Sequence, residues 1–262
     1  MDTEQKAKEI ITHVKGKIKG ARFSFIKVPI WEAFANDIAF VNRFMLSDTK
    51  TDVNNFLDHI LQKDAMHYYI PKGTLLYRAR KIDRKKITKD AQGNYIGYSE
   101  KESGMPPYRS APYGRAGASG IPVFYTSTES KTSCAELRPT KGEYISIAEY
   151  EVKEDILLAD FSLEQIEAVD GTIEGRFFLK EMFTSFSMPV TSEYIDYLPS
   201  EYVSEYIRTK HTEILGIRYS SLHNIGGYNI ALFSENQCEF KRSSVVECTY
   251  VSCEFQDINE KH

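Results

Sequence analysis

The sequence lacks most of the features that sort a protein at first sight. It has no surplus of positive charge: 33 Lys and Arg stand against 37 Asp and Glu, a net charge of −4. Bulk attraction to nucleic acid or to an anionic membrane is therefore not expected. No apolar run approaches the ~20 residues that a membrane-spanning helix needs. Met1–Lys6 lacks the pattern of a secretory signal. Cysteine is sparse, and Cys134, Cys238, Cys248 and Cys253 are scattered. That predicts reduced thiols in a cytoplasmic protein, not a disulfide framework. Cys248 and Cys253 have too little histidine nearby to suggest zinc, so no metal is expected. The glycines around Arg115 do not keep the spacing of a dinucleotide fingerprint, and no P-loop is present. No internal repeat is visible.

What is present is enough for a packed core. A chain of 262 residues, 42% hydrophobic, fits one large domain or a domain with a small addition. Residues 1–20 read as a helix, with Ile10, Ile11, Val14 and Ile18 on one stripe. A second helix follows Pro29, with Ile30, Phe34, Ile38, Val41 and Met45 at helical spacing. A third runs from about Asp52 to Gln62. Residues 1–70 thus form a predicted helical section, and residues 71–262 a second unit. The helical section reads as a packing accessory; a partner-binding or regulatory surface is the other possibility.

In the second unit, strands are predicted at Thr74–Arg80, Val123–Tyr125, Glu143–Val152, Ile156–Ala159, Ile214–Ser221 and Tyr228–Phe233, with a last β segment at Val245–Phe255. Helices are predicted at Ser162–Ala168, Glu174–Phe186 and Pro199–Thr209. The order, helices first and then mixed strands and helices, gives an α+β class. Residues 81–122 show little periodicity and read as a functional loop or lid, where Tyr95, Tyr98, Tyr108 and Tyr113 could stack on a planar ligand.

The centre of the chain is Gly114–Pro139. A glycine-rich loop carries Arg115, a short strand ends near Tyr125, and a two-turn helix carries Glu136 until Pro139 stops it. Taken alone, Glu136 fits an exposed carboxylate paired with Arg138 or Lys131. Arg78, in a strand, must emerge at an edge or meet an anion, because burying it unpaired is costly. Ion-pair partner and ligand-binding group are both open for it, and Arg80 reads as structural. Ser221 fits a turn hydroxyl as readily as a ligand contact. His211 and His223 read as surface or turn residues.

Three stretches together carry more weight than any one. Leu76-Tyr77-Arg78 comes first. Gly114-Arg115, Gly120, Val123-Phe124-Tyr125-Thr126-Ser127, Thr132 and Ala135-Glu136 follow. Gly216-Ile217-Arg218-Tyr219-Ser220-Ser221, Gly227 and Asn229-Ile230-Ala231-Leu232-Phe233 close the series. In order and spacing they resemble the three motifs of the RES domain family, over about Leu75–Phe233. The chain departs from that pattern twice: Ala116-Gly117-Ala118 stands where asparagine usually follows the loop arginine, and Ser220 stands where proline usually precedes the serine. The family serine is accordingly mapped to Ser221.

The resemblance implies a mixed, split β core similar to ADP-ribosyltransferase toxins, holding NAD in a cleft. It implies NAD as substrate, phosphate as co-substrate, and no metal. It implies Glu136 and Arg78 as catalytic, with Tyr77, Arg115, Tyr125, Ser127, Ser221 and Asn229 binding the dinucleotide. The expected reaction is cleavage of the nicotinamide–ribose bond, by phosphorolysis first and hydrolysis next, in a toxin that depletes NAD. An Xre-type antitoxin is the implied protein partner. Transfer of ADP-ribose to a macromolecule, or NAD binding without turnover, are the alternatives.

Overall fold

The structure is a computed structural model that describes residues 30–165, 173–187 and 194–252. The expected helix at 1–20, the end of that at Ser162–Ala168, and Cys253 lie outside these residues.

The fold is α+β: a helical section followed by a mixed eight-stranded sheet. The strands are β1 (His67–Ile70), β2 (Leu75–Ile82), β5 (Phe124–Ser127), β6 (Tyr144–Val152), β7 (Ile156–Phe161), β8 (Gly216–Ser220), β9 (Tyr228–Leu232) and β10 (Cys238–Glu247); β3 (Thr88–Lys89) and β4 (Tyr95–Ile96) form a separate hairpin. The sheet order is β1-β7-β8-β9-β5-β2-β6-β10, antiparallel except for β7 against β8. The described helices are α1 (Ile30–Asn36), α2 (Asp48–Ile60), α3 (Glu100–Ser103), α4 (Ser130–Glu136), α5 (Ile173–Ser187) and α6 (Leu198–Lys210).

Helices α1, α2, α5 and α6 share one core with the β7–β8–β9 half of the sheet. Trp31 and Phe34 of α1, Leu57 of α2, Phe178 and Phe183 of α5, and Ile207 of α6 join Phe161, Ile217 and Ala231 there. Phe178 sits between Trp31 and Phe56, at ring separations of 5.4 and 4.3 Å. Asp58 of α2 accepts from Tyr206 Oη and pairs with His211 at 2.9 Å, which binds the helical section to the sheet half and gives His211 a structural place. The other face carries a second core around Leu76, Phe124, Tyr150 and Leu232.

Four expectations need correction. His67–Ile70, counted with the helical section, is an edge strand paired with β7. The helix after Pro29 does not reach Met45: α1 passes into a π turn at Asp37–Val41, and the chain leaves helix at Asn42. Lys50, nearly fully buried on α2, donates to the Asn42 and Met45 carbonyls and holds that broken end, with Asp37 3.6 Å away. A buried ammonium is tolerable when its protons are used this way. Val41, Phe44 and Met45 are therefore exposed rather than packed. Residues 81–122 hold the β3–β4 hairpin and α3, so they are not a bare loop. The last strand begins and ends earlier than Val245–Phe255, because Cys238–Glu247 pairs along all of β6 with one bulge near Phe240.

A candidate active-site cleft at a seam in the sheet

Two half-sheets, β1-β7-β8-β9-β5 and β2-β6-β10, meet at one residue pair, Tyr77 opposite Ser127. Continuing that antiparallel register would set Ala79 opposite Tyr125 and bond them to each other. Each has another partner instead. Ala79 N–H donates to Ser133 Oγ on α4 at 2.7 Å, and the Tyr125 carbonyl accepts from Arg78 Nη1 at 2.6 Å. Unpaired backbone groups at a parted seam would each cost about 1–3 kcal/mol. Here two side chains satisfy one donor and one acceptor of the missing rung. The opening is a cavity of about 400 Å³, within the usual size of a small-ligand site.

Glu136, at the end of α4, lies in the wall. Its Oε1 accepts from Ser221 Oγ at 2.6 Å and from Asn229 Nδ2 at 2.7 Å. The direction of both bonds follows from their neighbours. Ser221 Oγ already accepts from the backbone N–H of His223 and Asn224, at 3.2 and 3.1 Å, so its proton goes to Glu136. Asn229 Oδ1 accepts from Ser127 Oγ at 2.9 Å, so its amide nitrogen faces the carboxylate. Oε2 has no protein partner among the described residues, which leaves it available to a ligand. None of the ion pairs among these residues involves Glu136; Arg138 instead donates to His223. The turn carrying these donors packs closely on α4, where a side chain at Gly227 would strike Thr132 Oγ1.

Arg78 enters from the opposite side. Besides the Tyr125 carbonyl, it donates from Nε to Ser103 O at 2.8 Å, and its guanidinium lies over the Phe124 ring. It has no carboxylate partner among the described residues. Burial, followed by the charge of Arg80, lowers its pKa to about 10. Arg115 reaches the cleft from its loop, where Nη1 donates to Ser185 O at 3.1 Å. Tyr125 holds that loop by accepting the Ala116 N–H at 3.0 Å, and burial raises its phenol to about 12. A side chain at Gly114 would meet the Tyr125 hydroxyl at 2.9 Å, so glycine is needed for this approach.

Of the expected residues, Arg78, Arg115, Tyr125, Ser127, Glu136 and Asn229 line the one cavity. Ser221 does not; it stands behind Glu136 and aims the carboxylate. Ser220, the other candidate serine, accepts from Leu163 N–H and faces away. Tyr77 also does not line the cavity, although its rung partner Ser127 does; it stands opposite Glu149 of β6. The tyrosines of 81–122 are elsewhere: Tyr95 packs on Tyr144, and Tyr113 on Tyr194 and Tyr197. The aromatic walls are Tyr125, Tyr197 and Tyr219. Tyr219 was within reach of sequence reasoning, since β alternation puts it on the same side as Ser221. Tyr197 and Ser133 carried no such signal.

Glu201 of α6 was also missed. It is buried, and its Oε1 has no hydrogen-bond partner among the described residues. Burial, then the neighbouring Glu205, raises its pKa to about 7, while the Gly114 amide, Tyr194 and Arg43 act in the opposite direction. It thus sits beneath the loop that carries Arg115. Cys134 and Cys238, by contrast, are free thiols raised to about 11 by burial, which makes them poor nucleophiles. No group of His, Cys, Asp and Glu among the described residues could hold a metal ion, and no described helix is long and apolar enough to cross a membrane.

Fold and cleft together define an α+β protein with a cleft whose lining holds Arg78, Arg80 and Arg115 together with the fixed carboxylate of Glu136. The sequence profile of the RES domain matches residues 76–255, most of the chain, and the protein belongs to that family. No curated protein and no solved structure matches it significantly. The RES domain is generally linked to NAD-related toxin function.

Proposed function

We propose that this protein degrades NAD by cleaving its nicotinamide–ribose bond, with inorganic phosphate as acceptor and ADP-ribose-1″-phosphate and nicotinamide as products. The observation that carries the reading is Glu136: one oxygen is fixed by two donors and the other is free, in a cavity it shares with Arg78 and Arg115.

The chemistry asks for these groups. The pyrophosphate of NAD is anionic, and planar guanidiniums bind phosphate oxygens through paired, charge-assisted hydrogen bonds. In this reading Arg78 and Arg115 take that role. As the bond from C1″ to the ring nitrogen breaks, its electron pair leaves with nicotinamide and neutralises the ring's positive charge. The ribose becomes oxocarbenium-like, and Glu136 stabilises it while Oε2 accepts from a ribose hydroxyl. A phosphate oxygen then bonds to C1″. Tyr125, Tyr197 and Tyr219 supply flat walls for the ring. Fixed charges of this kind are worth about 10²–10³-fold in rate per group.

Incubating the purified protein with NAD, with and without phosphate, and identifying products by mass tests the proposal. Faster NAD loss with phosphate and a product of ADP-ribose plus phosphate are expected. Labelled macromolecule would favour ADP-ribosyl transfer, and intact NAD with thermal stabilisation would favour binding alone. The toxin role and an Xre-type antitoxin belong to the same reading; growth arrest on expression, relieved by such a partner, is the expected outcome.

A further inference from the structure

A second cavity lies behind the arginines. Its volume is about 360 Å³, and its walls include Arg78, Arg80, Lys101, Met105, Pro106 and Pro107. Arg78 and Arg80 also line the cleft, so the two guanidiniums stand as a partition between the cavities. They are two residues apart on β2 and point to the same face.

The charge here is not balanced. Arg80 Nη2 donates to Gly104 O at 2.7 Å, and its Nε is buried without a partner. Neither arginine makes an ion pair among the described residues; both spend their donors on neutral carbonyls. Lys101 is exposed and makes no ion pair there either. The lining holds three cations against one carboxylate, Glu102. Glu102 is already occupied: its Oε2 accepts from Ser99 N–H and Oγ, at 2.9 and 2.6 Å. Glu235, nearby, accepts the Met105 N–H at 2.6 Å.

We infer that this cavity binds a phosphate-type oxyanion, with Arg80 and Lys101 as its own cations and Arg78 shared with the cleft. An acceptor oxygen there would satisfy the buried Arg80 Nε and relieve the repulsion between adjacent guanidiniums. The shared chemistry has two sources, free inorganic phosphate or a phosphate of the dinucleotide. The inference concerns binding and does not depend on NAD turnover.

Calorimetric titration of inorganic phosphate into the full chain carrying Glu136→Gln tests it, since binding is then read without consumption. Saturable binding is expected, weakened about tenfold by Arg80→Gln and less by Lys101→Ala, with Arg80→Lys intermediate. Lys101 is exposed, so its variant keeps a readout should Arg80→Gln not fold. Arg115→Gln, on the cleft side only, leaves phosphate affinity within about twofold because its charge lies outside this cavity. Competition by NAD assigns the anion to the dinucleotide, and simultaneous binding assigns it to free phosphate. Phosphate affinity that ignores both Arg80→Gln and Lys101→Ala, or that falls equally with Arg115→Gln, overturns the inference.

Discussion

Arg218 and Arg78 are both strand arginines with desolvated heads, and the sheet treats them oppositely. Arg218, on β8, donates to Asp160 Oδ2 at 2.6 Å and to Ser162 Oγ at 3.2 Å, and lies between the rings of Tyr228 and Tyr68. Asp160 is almost wholly buried and also accepts from Ser162 N–H and Gln165. That charge is cancelled inside the protein. Arg78, on β2, is given carbonyls and an aromatic face but makes no ion pair among the described residues. Arg218 has its counter-charge within the fold, although its Nε makes no hydrogen bond among the described residues; Arg78 has no such counter-charge there. A missing counter-charge among the described residues, not burial or strand position, thus sets Arg78 apart from Arg218.

That contrast can be broken in four ways. Asp160→Ala should have the largest effect, a loss of about 3–5 kcal/mol in denaturant unfolding, because it strands a buried guanidinium. Stability near wild type would show that Arg218 is not held by this pair. Glu136→Gln should leave unfolding unchanged and lower turnover about 10²–10³-fold; unaltered kcat would remove Glu136 from the chemistry. Arg78→Gln should behave as a binding variant, weakening NAD about 10–100-fold with a smaller stability loss than Asp160→Ala. A larger stability loss than that of Asp160→Ala, with NAD affinity kept, would erase the distinction.

The smallest effect concerns Glu201. Its folded-state pKa is raised above its ordinary value, to about 7, so the folded protein holds this proton where the unfolded chain has released it. Its contribution to stability is full below about 4.5, the ordinary value, and is lost as pH rises through about 7. Glu201→Gln should flatten this part of the stability–pH curve. An unchanged slope would mean that Glu201 ionises normally.

Much of this was legible in the sequence because it rests on local pattern. The alternation around Arg78, the stop at Pro139 and the apolar strand Ile156–Ala159 all led to the right elements. The three motifs collected Arg78, Arg115, Glu136 and Asn229 correctly into one cavity. What was hidden depends on register and long-range contact. That Tyr77 holds the closed rung, while Arg78 next to it faces the opening, is set by where β5 meets β2. Glu201 reads in sequence as one more charge on an amphipathic helix, and only the packing of the Gly114 loop above it changes its environment. The helix ending at Val41 was misread because a π turn re-phases the stripe beyond Ile38.

The substitution of Ser133 and Arg78 for the missing rung has one more consequence. A sheet closes like a zipper because each unsatisfied amide and carbonyl favours the next tooth; here the Ala79 amide and the Tyr125 carbonyl are already occupied, so closure would bring less gain. The slot therefore exists before its occupant arrives. Encounter, not rearrangement, should set how fast a ligand enters, and little ordering entropy remains to be lost on arrival.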